Sequence, residues 1–322
     1  MPVTIQGASN QTALNAIYYE EKSLDRLVRM LRFKQLAKMS TGIPKKSGDT
    51  VYWIRTGELH VTDPDDYATV ETVVGAEQAL VFTTVSKTVK EYSNYAIVGD
   101  ITAFAGRTAT MDEVVSALSD QAAELYDTIC RNELQNNLPA QYANSLGSVG
   151  AITAGDILTV KEGLKAHIAL AKDAVGPHES GAYVCVIHPA SKGDVMNDTN
   201  AGAWVDVKKY VDPDPLLRGE LGECYGVRYL TSQNIYSAND GSGSATVYRN
   251  IFMGEGCFGM ARLGKDSYEL NMKTSDENTT SDPNNQINTV GFKYLGLGAK
   301  YLGGSSNGTK DRGRVIYCGS QF

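Results

Sequence analysis

The chain has 322 residues, 42% of them hydrophobic and 21% charged, which suits a folded chain large enough for two domains and excludes a disordered polyelectrolyte. Its formal charge is −7, whereas a dedicated nucleic-acid binder draws affinity from a basic surface. Glycine is abundant and tyrosine (18) outnumbers phenylalanine (7), a mix that suits a β-rich protein with many turns and contact-making surface.

Residues 1–13 are polar and aperiodic and read as a flexible arm. From Leu14 to about Met39 apolar residues recur at three and four, with Leu24, Leu27, Val28 and Leu31 among them, so a helix is predicted there, stopped by Gly42 and Pro44. With that helix starting close to Met1, no long N-terminal scaffolding segment is expected. Residues 50–55 (TVYWIR) are β-branched and aromatic and predict a strand. The stretch 56–79 is polar and acidic, with turn chemistry at Asp63-Pro64-Asp65-Asp66, and 80–100 then reads as one long strand or two collinear ones. Together these predict an oversized hairpin carrying a long excursion, a feature that is usually functional. The region 47–98 is accordingly expected to find little apolar support within its own chain.

Thr110 to Asn137 is the clearest helix. Thr110 and Glu113 fit a capping box, and Met111, Val114, Val115, Leu118, Ala122, Leu125, Tyr126, Ile129 and Leu134 form one apolar stripe. At 1.5 Å per residue such a helix runs roughly 40 Å and serves as a spine for other elements. After SLGSVGAITAGD (145–156) the texture turns α/β. Helices are predicted at Ile157–Leu170 and Ser191–Asp198, and strands at 183–189, 224–235 and within 247–263. At the end, 289–302 and 313–318 are predicted as a hairpin around the tip 303–308.

Motifs for chemistry are missing. His60, His167, His178 and His188 show neither HxxxH nor HExxH spacing, so no metal site is expected. GGSSNGTK (303–310) has Gly308-Thr309-Lys310 where a phosphate-binding loop needs Gly-Lys-Ser/Thr, and no GxSxG elbow occurs. The paired carboxylates at 63–66 and 212–215 lie on proline turns and read as solvated. The five cysteines, Cys130, Cys185, Cys224, Cys257 and Cys318, form no CxxC pair and are expected as buried free thiols in a reducing compartment. MPVTIQGASN lacks the features of a signal peptide, so cytosolic synthesis is expected. No catalytic residue, cofactor or metal is therefore assigned.

Several stretches carry a resemblance. They are LRFKQLA (31–37), GDTVYWIRTGEL (48–59), VSKTVKEYSNYAIVGD (85–100), QAAELYDTICRNEL (121–134) and YVCVIHPASKGDVMND (183–198). WVDVKKYVDPDPLLRGELGECYGVRYLTSQNI (204–235), VGFKYLGLGAKYL (290–302) and RVIYC (314–318) complete the set. With the order of elements, they resemble the tailed-phage major capsid proteins, in particular the coat family typified by coliphage N-four. The resemblance implies an α+β subunit of the capsid fold shared with the herpesvirus capsid floor and encapsulins. Its parts would be an N-terminal arm and helix (1–46), an extended hairpin loop (47–98), a peripheral domain with the spine helix (99–150 plus 266–322) and an α/β axial domain (151–265). It further implies hexamers and pentamers closing an icosahedral head around double-stranded DNA, assembled in the host cytoplasm. The implied partners are other copies of the chain, a portal protein, scaffolding and decoration proteins, and packaged DNA held non-specifically, with no membrane. The alternatives weighed are an encapsulin-like compartment and an α/β nucleotide-binding enzyme.

Charge is segregated along the chain. Glu58, Asp63, Asp65, Asp66, Glu71 and Glu77 give 56–79 a charge of −6 with no Lys or Arg, while eight cations, Arg26, Arg29 and Arg32 among them, give 22–46 a charge of +7 against Asp25 alone. These nine named residues are the expected subunit interface, the acidic loop of one copy meeting the basic segment of another. The competing reading sets the basic face against packaged DNA.

Overall fold

The computed structural model describes residues 31–40, 42–44, 47–57, 59, 61, 63, 77–99, 101, 104, 110–178, 181–198, 220–264, 268–273, 284, 286–304 and 310–322. The predicted arm and most of the first predicted helix lie outside these. What is described begins with a short helix, α1 (Phe33–Leu36), and the two-residue strand β1 (Lys38–Met39). The predicted helix thus stops short of Met39. Ala37 is extended, and Lys38 and Met39 pair in parallel with Gly259 and Met260. A sheet edge outcompetes the last turn of the helical pattern.

Two sheets organise the rest. One has five strands: β1, β4 (Lys90–Gly99), β11 (Phe258–Arg262), β12 (Tyr268–Lys273) and β13 (Ile287–Tyr301). β13 is its axis. Its first half lies between β4 and β12, and its second half pairs with β11. The register on β4 shifts between Tyr294 and Leu297, where Gly296 takes φ +76 and a Cβ would fall 2.4 Å from Leu263 Cδ1. The other sheet has seven strands: β5 (Ala140–Tyr142), β6 (Tyr183–Ile187), β7 (Glu220–Cys224), β8 (Val227–Thr231), β9 (Ser237–Ala238), β10 (Val247–Met253) and β14 (Gly313–Cys318). Sheet membership follows long-range pairing and not sequence position. β11, inside 151–265, joins the five-stranded sheet, and β14, from the tail, lies between β5 and β10.

This corrects the predicted terminal hairpin. β13 and β14 are neighbours in sequence but belong to different sheets, because Tyr248–Met253 offers β14 an antiparallel partner over six residues. Both ends of that pairing sit in a core, so β14 buries both faces. The predicted strand at 224–235 also divides. β7 and β8 form a hairpin whose turn residues Tyr225 and Gly226 have φ of 51 and 70, the left-handed pair that a two-residue hairpin requires. His167 Nδ1 donates to Tyr225 O at 2.7 Å and closes this turn.

The spine helix α2 (Thr110–Asn137) has the predicted bounds; the side chain of Thr110, and with it the capping box, lies outside the described residues. Its stripe is core. Leu118 and Ala122 pack on Val290 and Phe292, and Tyr294 donates through its hydroxyl to Ala122 O at 3.2 Å. Further along, Tyr126, Cys130 and Leu134 enter a cluster shared by both sheets, with Val184, Ile251 and Val315 from one and Leu297 and Ala299 from the other. The opposite face of the seven-stranded sheet is covered by α3 (Val160–Lys172), with α4 (Pro189–Asn197) adding Val195. β6 is therefore buried at every residue, Val184 and Val186 toward the spine and Tyr183, Cys185 and Ile187 toward α3. α3 starts three residues later than predicted, because Ile157 bridges to Gly319. His188 caps α4: its Nδ1 accepts from Ala190 N at 3.1 Å and its ring stacks on Tyr248. It is a satisfied strand-end imidazole, and burial lowers its pKa.

Gly42 joins β1 to the strand-like bridge at Ile43. It takes φ +89, and a Cβ there would lie 2.4 Å from Gly264 O; Gly48 takes φ +86 with open space around it. Gly48→Ala carries backbone strain alone, about 1 kcal/mol, whereas Gly42→Ala adds a clash with backbone and is expected to cost roughly 2–3 kcal/mol. Denaturant unfolding of the two variants measures the difference, and equal losses would contradict this account.

Candidate subunit interface

The oversized hairpin is present. β2 (Thr50–Thr56) and β3 (Phe82–Thr88) pair over seven residues from Thr50↔Thr88 to Thr56↔Phe82, and Gly57 N donates onward to Val81 O at 2.7 Å. Strand alternation gives this two-stranded ribbon two unlike faces. Val51, Trp53, Arg55, Val85 and Lys87 point toward the body. Tyr52, Ile54 and Phe82 point away and are 67%, 71% and 62% exposed. Beyond them Leu59, Val61, Leu80 and Val81 are exposed as well. Several large apolar side chains exposed on one outward ribbon mark a contact surface.

The inner face is fastened to its own chain, which narrows the expectation that 47–98 lacks internal support. Val51 and Trp53 pack against Ile43, Val89, Ala261 and Leu263. Lys87 Nζ meets Glu133 Oε2 of the spine at 2.9 Å. Glu133 also lies 3.6 Å from Lys300 Nζ and accepts from Tyr301 N. Arg55 donates from Nη2 to Gly303 O. β4, which follows directly after Val89, is tied to β13 along nearly its whole length. Among the described residues these side-chain ties run out along the ribbon as far as Arg55.

Of the nine residues expected at the interface, three are described. Asp63 and Glu77 are exposed on the outer part of the excursion, and Arg32 is half-buried at the start of α1, its Nε buried without a hydrogen-bond partner. Glu58, Asp65, Asp66, Glu71, Arg26 and Arg29 lie outside the described residues. The sequence reading missed what holds the chain next to Arg32. Asp127 of the spine is fully buried; its Oδ1 accepts from Phe33 N at 2.8 Å and its Oδ2 from Asn234 Nδ2 at 3.0 Å. Arg131 Nη1 donates to Asn234 Oδ1 at 2.9 Å. Burial raises the Asp127 pKa, and the hydrogen bonds from Asn234, Phe33 and Lys34 pull it back. The signal was legible in principle, since 127, 130 and 134 share one helical face.

The thiols of the core are not poised as nucleophiles. All five cysteines are free and buried, and burial raises every one of their pKa values, that of Cys318 to about 12. The arrangement is one of surfaces and anchors.

The chain matches no protein-family profile and no curated protein sequence. Its fold, by contrast, recurs in full among solved structures. The capsid of Ralstonia phage GP4 superposes with a TM-score of 0.70 at 16% identity, covering 100% of this chain and 99% of that one. The capsid of cyanophage Pam1 gives 0.70 at 17% identity over 99% of both chains. The head of Helicobacter pylori bacteriophage KHP40 gives 0.69 at 12% identity, covering 100% and 99%. The α+β fold of this chain is that of the tailed-phage capsid proteins. The narrower likeness to the coliphage N-four coat family stays with the sequence stretches that suggested it.

Proposed function

We propose that this chain is the major capsid protein of a tailed phage, a structural and non-enzymatic subunit. The observation that carries the reading is coverage: the phage capsid chains and this one match over 99–100% of their lengths in both directions for GP4 and Pam1. The outward apolar side chains on the hairpin support it, since a subunit in a shell needs such a surface and an isolated protein does not. On this reading hexamers and pentamers close an icosahedral head around double-stranded DNA in the host cytoplasm. Residues 1–46 serve as N-terminal arm and helix, 47–98 as extended loop, 99–150 with 266–322 as peripheral domain and 151–265 as axial domain, with β11 on one side and β5 and β14 on the other crossing into the sheet of the other domain. A portal protein, and scaffolding and decoration proteins where the phage encodes them, are its partners. DNA is held without a dedicated site, in keeping with the net charge of −7.

Expression of the full chain followed by electron microscopy tests this. Closed shells, or hexamers and pentamers, are the expected result; monomers at every protein concentration would overturn it, and shells filled with protein cargo would redirect it to a compartment. Hydrogen exchange supplies a second test. In isolated subunits the amides of 50–56 and 82–88 should be protected and those of 58–79 should exchange fast, slowing only in shells. Equal protection of 58–79 in both states would show that neighbours contribute nothing there.

A further inference from the structure

At the foot of the hairpin lies a cleft of about 830 Å³, walled in part by Trp53, Leu36 and Leu302. Four of the described residues that line it are cations: Lys38 of β1, Arg55 of β2, and Lys310 and Arg312 ahead of β14. Asp173 and Glu255 line it too, a side-chain excess of two positive charges among the described residues. Glu255 Oε2 lies 3.3 Å from where a Cβ on Gly176, another lining residue, would sit. Among the described residues no carboxylate forms an ion pair with any of the four cations.

The guanidiniums have donors to spare. Arg55 uses Nη2 on Gly303 O, and its Nε is buried without a partner. Among the described residues the Arg312 guanidinium donates to Gly256 O alone, at 3.4 Å from Nη1. Burial lowers the pKa of Arg55, Tyr301 offsets part of this, and the charge of Arg312 lowers it further. Arg55 is partly buried and Arg312 is exposed; like charges that act on one another favour an anion between them, and paired guanidiniums suit carboxylates through bidentate donation.

The chain itself supplies a complementary anion. Residues 58–77 carry six carboxylates and no Lys or Arg. In the same subunit the hairpin continues outward past Gly57, and Asp63 and Glu77 are exposed and do not line the cleft. We propose that the cleft receives carboxylates of the acidic segment 58–77 from a second copy of the chain, with Arg55 and Arg312 as the principal donors. This rests on the shell reading, which gives every hairpin a neighbour. It narrows the loop's main receiver from the basic stretch 22–46 as a whole to a cleft whose cations come from three separated parts of the chain, Lys38 being the one that belongs to that stretch.

Trp53 makes the test direct. The chain has two tryptophans, so Trp204→Phe leaves Trp53 as sole indole reporter. The acceptor is the full chain with its six loop carboxylates changed to Asn or Gln, so that the cleft is not already filled by neighbours. The probe is a synthetic peptide of residues 56–79. Saturable change in Trp53 emission is expected, weakening as salt rises, and falling at least tenfold in affinity in Arg55→Gln/Arg312→Gln. Lys38→Gln/Lys310→Gln, which leaves both guanidiniums in place, should weaken it several-fold and guards against loss through misfolding. A peptide with Asn and Gln in place of its acids should not bind. Equal binding of acidic and neutral peptides, full affinity in both double variants, or a response to inorganic phosphate but not to the peptide would each overturn the proposal. Imaging the unmodified chain in parallel separates the two readings: shells without peptide binding refute the cleft alone.

Discussion

Leu134→Ala is expected to lower subunit stability by about 3–5 kcal/mol, the upper part of the range for a large-to-small change in a core that cannot collapse. Leu134 is fully buried at the place where the spine helix meets both sheets at once. Strands on either side are held by long pairings, so neither can move in to fill the cavity. Leu125, only partly buried beside Val290 and Phe292, should lose roughly half as much on the same change, because solvent already reaches part of it. Urea unfolding of dissociated subunits, read as a midpoint shift at constant slope, measures both. Equal losses at the two positions would mean that the shared cluster is not the stiffest part of the fold.

Asp127→Ala should cost about 2–4 kcal/mol for a different reason. The side chain is small, and little packing is lost. What remains is a set of buried donors without an acceptor, each carrying a desolvation penalty of about 1–3 kcal/mol. Asp127→Asn should recover only part of this, because both carboxylate oxygens are in use and an amide keeps one of them while turning an NH₂ toward the other donor. Because Phe33 hangs on this carboxylate, the loss should appear locally as well. Limited proteolysis should cut near residues 33–39 sooner in Asp127→Ala than in Leu118→Ala, even where the latter is as destabilised overall. The same cleavage rate in both would leave Asp127 as an ordinary core residue.

Local pattern carried much of the architecture. The helix at Thr110–Asn137 was readable because its stripe keeps a 3.6-residue period over 28 residues, and the strands flanking the acidic excursion because they are rich in β-branched and aromatic residues. What escaped was set by distance in sequence. GGSSNG looks like a hairpin tip, yet strand choice is a competition among all available edges, and Tyr248–Met253 wins β14 from some sixty residues away. Tyr225 and Gly226 turn the chain inside what reads as one strand, since a tyrosine with positive φ leaves no mark in composition. Asp127 shares a face with Cys130 and Leu134, but a carboxylate on an apolar face is normally assigned to solvent unless its partners, here Phe33 and Asn234, are already known to be near. The cationic cleft was invisible for the same reason: Lys38, Arg55, Lys310 and Arg312 become neighbours only when both sheets are in place.

The silence of the thiols has a practical side. All five cysteines are sealed in the folded subunit, and burial holds them in the protonated form, whereas thiolate is the form that alkylating and disulfide-forming reagents attack. A cysteine introduced on the outward face of the ribbon, at Ile54 for instance, would therefore be the one sulfur that a maleimide dye finds quickly. The native five would then act as a clock, labelled only at the rate at which the subunit opens. The same cores that stiffen the molecule make it a clean chassis for site-directed conjugation, and a built-in gauge of its own unfolding.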